Sequence, residues 1–279
     1  MMKLIDTHTH FDVPEYAQNR KAFAQSAHDA GVRHLVLIGL MAQYFERMLA
    51  VKDELATFNQ APMAHVAFGL HPLYIQEQEE KDLVLLDEYL TRFGSVAIAE
   101  IGLDTYPKAL QEAEIFAKQK AFFIEQVALA KHHQLPILLH IRKSHAEVLQ
   151  ILTQQKYQAS QLGGIAHSFS GGEQEALAFV KRGFKLGITG QITNPNAKKL
   201  HRAVMAVFAK YGVDAFVIET DCPDMMPVPC QHLGHFNEPA NLRWVLAHLA
   251  TMFDIEQETL ARKLWQNSCE ALRVDWNYE

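Results

Sequence analysis

What most constrains this chain is an alternation. Short apolar, β-branched runs recur along it, and amphipathic stretches separate them. The runs predict strands over Leu4–His8, His34–Gly39, His65–Leu70, Val96–Ile101, Pro136–His140, Gly164–Ser168, Phe184–Ile188 and Phe216–Thr220. Helices are predicted over Ala22–Ala30, Glu112–His133, Glu147–Gln155, Glu173–Arg182, Lys198–Tyr211 and Asn241–Phe253. In the longest of these, Phe116, Phe123, Val127 and Ala130 recur at helical spacing. Gly31, Pro136, Gly163, Gly183 and Gly212 punctuate the junctions. Strands alternating with helices are parallel strands joined by crossovers. Eight such units in 279 residues fit an α/β fold of the TIM (β/α)8 barrel type, which takes about 250 residues. The rival, a doubly wound open sheet, calls for a glycine-rich phosphate loop after an early strand, and the sequence has none. With no composition shift or linker, residues 1–279 are expected to form a single domain. The stretch Ile255–Arg273 reads as an added helix with Leu260, Leu264 and Leu272 on one face.

The polar residues fall where these strands end. The first runs into Asp6-Thr7-His8-Thr9-His10, and strand alternation points His8 and His10 the same way. Taken alone, such a pair reads equally well as two surface histidines. Four more runs deliver a histidine or an acid near the carboxyl end: Glu100 in Ala99-Glu100-Ile101, His140 in Leu139-His140-Ile141, His167 in Ala166-His167-Ser168, and Asp221 after Ile218-Glu219-Thr220. A glutamate in so apolar a run is costly to bury unless it is paired or bound to metal. In a barrel these ends converge on one face, where active sites form. Four imidazoles and two carboxylates then meet. That set suits divalent ions such as zinc, manganese or iron and exceeds the three protein ligands a single catalytic zinc keeps. Two divalent ions bridged by Glu100 account for the number.

Composition narrows the partners. A formal charge of −6 offers no basic face for gripping nucleic acid, although bound cations can supply positive charge locally. Cys222, Cys230 and Cys269 include no Cys-x-x-Cys and read as reduced thiols of a cytoplasmic protein. No apolar run approaches the ~18 residues of a membrane span, and no secretory leader is visible.

Taken in order, several segments resemble the TatD family of metal-dependent hydrolases and deoxyribonucleases. They are Ile5-Asp6-Thr7-His8-Thr9-His10, Gly69-Leu70-His71-Pro72, Glu100-Ile101-Gly102-Leu103-Asp104 and His140-Ile141-Arg142. The later ones are His167-Ser168-Phe169-Ser170-Gly171, Glu219-Thr220-Asp221 with Pro223, and Asn237-Glu238-Pro239-Ala240-Asn241. The resemblance covers nearly the whole chain. It implies a TIM barrel, a divalent-metal site whose ligands are His8, His10, Glu100, His140, His167 and Asp221, and hydrolysis of phosphodiester bonds in DNA. One departure stands out. Family members often carry a basic stretch after the last strand, whereas here Cys222 to Phe236 contains no Arg or Lys. His232 and His235 in that loop are candidates to influence substrate choice.

The expected reaction is exonuclease-type hydrolysis of DNA or a small phosphoester by water activated at divalent metal (Zn, Mn, Mg or Fe). Asp221 is the candidate to take the water proton. His71 is read as a donor to a phosphate or leaving-group oxygen, or else as a loop histidine that packs beside the mouth. Arg142, two residues beyond His140, is read as a phosphate grip or as a rim salt bridge. Asp6 and Glu219 are expected to orient ligands rather than bind metal. Asp104 is expected to shape its loop or meet substrate, and His145 is a candidate for the rim. Cys222 reads as a packing residue. Metal-activated water also attacks carbonyl carbon, so an amidase, lactonase or deacylase is the alternative reading, and a metal-storing protein is a second. A monomer without an obligate protein partner is expected.

Overall fold

The eight apolar runs form eight parallel strands: β1 (Leu4–Thr9), β2 (Val32–Ile38), β3 (Met63–Ala67), β4 (Ile98–Asp104), β5 (Ile137–Arg142), β6 (Ile165–Ala166), β7 (Lys185–Ile188) and β8 (Phe216–Ile218). The computed structural model describes residues 2–232, 234 and 236–278. Strands β1 to β3 hydrogen-bond in order as one sheet, and β4 to β8 as another. Main-chain bonds join the two sheets at both seams. Ala99 N–H donates to Phe68 O at 3.0 Å, beside a parallel bridge between Phe68 and Ile98. On the other side Asp221 N–H donates to His8 O and His10 N–H to Cys222 O, each at 2.9 Å. The result is a TIM barrel.

Helices wrap it: α1 (Arg20–Asp29), α2 (Phe45–Ala56), α3 (Glu80–Phe93), α4 (Ala113–His133), α5 (His145–Gln154), α6 (Ala159–Leu162), α7 (Glu173–Lys181), α8 (Lys198–Tyr211), α9 (Leu242–Phe253) and α10 (Gln257–Leu272). Helices α2 and α3 were not anticipated. Charged residues crowd their sequences, yet Phe45, Met48, Val51 and Leu55 make a buried stripe along α2. The start of α3 is fixed by a reciprocal cap between Glu79 and Asp82, with Glu79 N–H donating to Asp82 at 2.8 Å. In α10 the Glu256 carboxylate caps the N–H groups of Glu258 and Thr259. Strand β6 is shorter than the predicted Gly164–Ser168, because Gly164 (φ 151°) and Ser168 (φ 41°) leave extended geometry on either side of it.

Strand alternation sorts the core into two layers. Leu35, Leu37, Ile137, Leu139, Ile141, Phe216 and Ile218 pack outward under the helices. Val36, Ala67, Ala97, Leu138, Ile165 and Val217 face inward and fill the barrel as a separate apolar cluster, closed at one end by Ala271, Leu272 and Trp276. That inward layer positions the site. Two residues beyond Leu138 comes His140, beyond Ile165 comes His167, and beyond Val217 comes Glu219. The carboxyl end of the barrel is therefore lined by polar side chains standing on an apolar floor. Among the described residues no helix is long and apolar enough to cross a membrane.

Candidate metal centre

Glu100 sits at the middle of the polar end. Its Oε2 lies 3.2 Å from His8 Nε2, 3.3 Å from His71 Nε2 and 3.9 Å from His10 Nε2. Its Oε1 lies 2.6 Å from His140 Nδ1 and 3.7 Å from His167 Nε2. Asp221 closes the ring, with Oδ1 3.6 Å from His8 and 3.7 Å from His10, and Oδ2 3.4 Å from His167. All six predicted ligands are thus in one place. Together with His71, which was not among them, their ligand atoms fall into compact groups, His8–His167–Asp221, His8–His10–Glu100 and His71–Glu100–His140, with atoms within 4.8 Å of one another in each.

The backbone is shaped to allow this. Asp221 has φ 54°, in the left-handed region that costs a side-chain-bearing residue on the order of 1 kcal/mol. The turn it makes lets its N–H close the barrel onto His8 while its carboxylate points into the ring. A Cβ at Gly102 would stand 2.1 Å from His140 O, so glycine there permits the close approach of β4 and β5. A Cβ at Gly187 would stand 2.3 Å from Glu219 Oε1, which needs that space.

Glu219 is wholly buried. Its Oε1 lies 2.8 Å from His167 Nδ1 and accepts the Ser168 N–H at 2.6 Å, while its Oε2 accepts the Thr7 hydroxyl at 3.2 Å. It therefore lies against His167 rather than Asp221, in ion-pair contact but outside hydrogen-bond geometry. Asp6 accepts the N–H and hydroxyl of Thr220 at 2.9 and 2.5 Å, locking β1 to the chain beyond β8. Burial pushes its carboxyl up to about 7 against the pull of those bonds. Asp104 meets His140 Nε2 at 3.0 Å through Oδ2 and accepts the Tyr106 N–H at 2.8 Å through Oδ1.

Protonation follows from these neighbours. Burial and the adjacent His167 push His8 down, so it is neutral. Burial opposes ionisation of Glu100 and Asp221, but the crowd of imidazoles outweighs it, and both carboxyls titrate below their ordinary values. Burial likewise opposes charge on His140 and His167. The facing carboxylates win, raising His140 to about 9 and His167 well above its usual value. His8 leaves both ring nitrogens, and His10 and His167 their Nδ1 atoms, buried without a hydrogen bond. A neutral imidazole nitrogen aimed between two carboxylates without bonding either is a donor set that a cation completes. The residues fit divalent metal on that observation.

His71 is different. Its Nδ1 accepts the Leu73 N–H at 3.0 Å, and burial pushes its pKa down to about 4. The neutral ring therefore carries its proton on Nε2, the atom facing Glu100. Distance groups His71 with the ligands, but the tautomer makes it a proton donor.

Arg142 lies exposed at the rim, its guanidinium carbon 3.8 Å from the centre of the Tyr106 ring. It forms no ion pair among the described residues. His145 is buried against Phe169 and Phe179, away from the ring of ligands. The Cys222 thiol is wholly buried, lies 2.8 Å from Thr9 Oγ1, and is pushed up to about 12 by burial. It packs and is no nucleophile. His232 is exposed, and His235 lies outside the described residues. No sequence pattern singles out Lys143 or Tyr106. His71 could have been aimed from alternation alone, since Ala67, Gly69 and His71 succeed one another at spacing two beyond the inward-facing His65.

Comparison with known proteins adds the family context. Residues 5–273 match the model of the family described as TatD related DNase. A Haemophilus influenzae protein named an uncharacterized metal-dependent hydrolase is 33% identical over 273 residues, covering 96% of this chain and 99% of that protein. The crystal structure of YjjV, a TatD homologue from Escherichia coli, superposes with a TM-score of 0.86 at 32% identity, covering 98% of each chain. A Pantoea vagans protein named 3'-5' ssDNA/RNA exonuclease TatD is 27% identical, covering 93% of this chain and 95% of that protein.

Proposed function

The chain belongs to the TatD-related DNase family and is a metal-dependent hydrolase, and from that premise we propose that it hydrolyses phosphodiester bonds at the end of a nucleic acid strand. One observation carries the reading: a central carboxylate, Glu100, faces different imidazoles with its two oxygens, so one side chain can serve two cations. His8, His10, Glu100, His140, His167 and Asp221 would hold two divalent ions, with zinc, manganese, magnesium and iron as the candidates. Such ions, when bound, supply Lewis acidity and lower the pKa of water from about 15.7 toward about 7.

The chain's own groups do the rest. Asp221, reaching the centre from a turn at the mouth, is the acceptor for the proton of the attacking water. The water oxygen bonds to phosphorus and the bond to the leaving oxygen breaks. His71, with its proton on Nε2, is placed to donate to an oxygen of the phosphate or leaving group. Arg142 at the rim offers a planar fork to phosphate oxygens. Glu219 and Asp104 fix the rings of His167 and His140.

A substrate panel tests this. The protein is assayed with each of the four metals against single-stranded DNA, RNA, a small phosphodiester and simple lactones. Metal-dependent release of mononucleotides is expected. Turnover confined to lactones, or full activity after complete chelation, overturns the reading.

A further inference from the structure

The rim of the barrel mouth is polarised. On the β8 side, residues 222–236 include Asp224 as their single formally charged residue and no cation. On the β4–β5 side, Tyr106 is 51% exposed and carries two cations against its ring, Arg142 at 3.8 Å and Lys143 at 4.7 Å from the centroid. Neither cation forms an ion pair among the described residues, although Arg142 lies near enough to Asp104 to help hold that carboxyl below its ordinary value.

This ledge is built rather than loose. Thr105 N–H donates to Arg142 O at 3.0 Å, and its hydroxyl donates to Lys143 O at 2.8 Å, tying the two loops together. Gln111 fastens the same loop by donating to Thr105 O at 2.9 Å. Asp104 links the ledge to the centre, accepting from Tyr106 N–H with one oxygen and meeting His140 with the other. An exposed aromatic face beside unpaired cations is the combination that holds single-stranded nucleic acid, the ring stacking a base and the cations tracking the phosphates.

We infer that Tyr106, Arg142 and Lys143 form the subsite for the nucleotide unit adjoining the hydrolysed bond, so that the polyanion lies over the β4–β5 rim and only its terminal unit reaches the β8 rim. This rests on the phosphodiesterase reading. It also accounts for the absence of cations from the loop after β8, since a strand end brings few phosphates to that side. Tyr106 and Lys143 touch the strand away from the reacting atoms, and their loss acts on strand binding.

Fluorescence anisotropy with labelled oligothymidylate on the full chain in chelator reads binding without hydrolysis. Kinetics on oligothymidylate and on a small phosphodiester read the same subsite in the metal-loaded enzyme. Tyr106→Ala weakens strand binding roughly tenfold, whereas Tyr106→Phe, which keeps the stacking face, stays within about threefold of the parent. Lys143→Gln lowers the slope of log affinity against log salt by about 0.7, one phosphate contact on a single strand. In both Tyr106→Ala and Lys143→Gln the ratio of kcat/KM on oligothymidylate to kcat/KM on the small ester falls at least about fivefold, mainly through KM. Equal losses on both substrates, equal weakening by Ala and Phe, or a parent chain that hydrolyses strands but does not bind them in chelator overturns the subsite alone. A parent that hydrolyses no phosphodiester and only lactones overturns the functional reading, and the subsite with it.

Discussion

Histidines stand at both ends of this barrel's inward-facing columns, and the two ends use them in opposite ways. At the carboxyl end, His8, His10, His140 and His167 surround Glu100 and Asp221, and ring nitrogens of His8 and His10 lack hydrogen bonds. At the amino end, His34 and His65 precede the inward Val36 and Ala67 by two residues. They meet each other at 2.9 Å and stack on Trp276, at 4.3 and 4.1 Å between ring centroids. No carboxylate pairs with them among the described residues, and burial depresses them to about 4 and about 3. One end is loaded with charge that a cation balances, and the other is packing by neutral rings. The neighbours, not the residue type, decide which histidine is chemistry.

The comparison is broken most severely at Glu100. Glu100→Gln removes the carboxylate that both proposed cations share. With metal lowering the barrier by several kcal/mol, its loss drops kcat/KM on the order of a thousandfold or more, with metal content falling in parallel. His34→Phe at the opposite end keeps its aromatic contact with Trp276 and leaves kcat/KM within about twofold. Elemental analysis and steady-state assays on the two variants give the answer. Comparable losses in both would mean that the amino end also takes part in the chemistry.

A smaller effect is expected at Glu219. Glu219→Gln keeps the side chain's size in the space left by Gly187 but removes the charge beside His167 Nδ1. Outer partners of this kind are worth about 10–100-fold in metal affinity or activity. The variant should need correspondingly more metal for half-maximal activity, with kcat at saturating metal less affected. An unchanged metal titration would mean that Glu219 serves only the packing of β8.

Much of this was legible in the sequence, for a reason that also marks where legibility stopped. Each strand is an apolar run with a polar residue at a fixed phase, so period-two alternation carries both the fold and the placement of His8, His140 and His167. Helices α2 and α3 were obscured because their apolar stripes are thin and interleaved with charge. That Glu219 would orient a ligand was readable, but which ligand lay hidden, because strand phase says which way a side chain points, not which histidine on another strand it meets. His71 required its partner, the Leu73 N–H, before its proton could be assigned. Tyr106 and Lys143 sit on loops, where no periodicity reports position, and only the bonds from Thr105 show the two loops to be one structure.

The least of the expected effects is a pH dependence at the amino end. In the unfolded chain His34 and His65 titrate near 6.5, and in the folded protein near 4 and 3. Above about 6.5 both states are neutral and pH has no influence through them. As pH falls below that value the unfolded chain takes up protons that the folded one refuses, so stability declines, and the decline levels off only near the folded values. Both rings are partly exposed, so solvent screening reduces the cost to about 1–2 kcal/mol by pH 4.5. That corresponds to a few °C in Tm for a chain of this size. The double variant His34→Phe/His65→Phe cannot take up those protons. Measured in chelator, so that metal release does not contribute, its Tm should fall less than the parent's between pH 7 and 4.5. Asp6 and the carboxylates titrate in both proteins and cancel in the difference. An identical fall in the two would show that the stacked pair is as readily protonated folded as unfolded, and the contrast between the two ends of the barrel would then rest on the carboxylates alone.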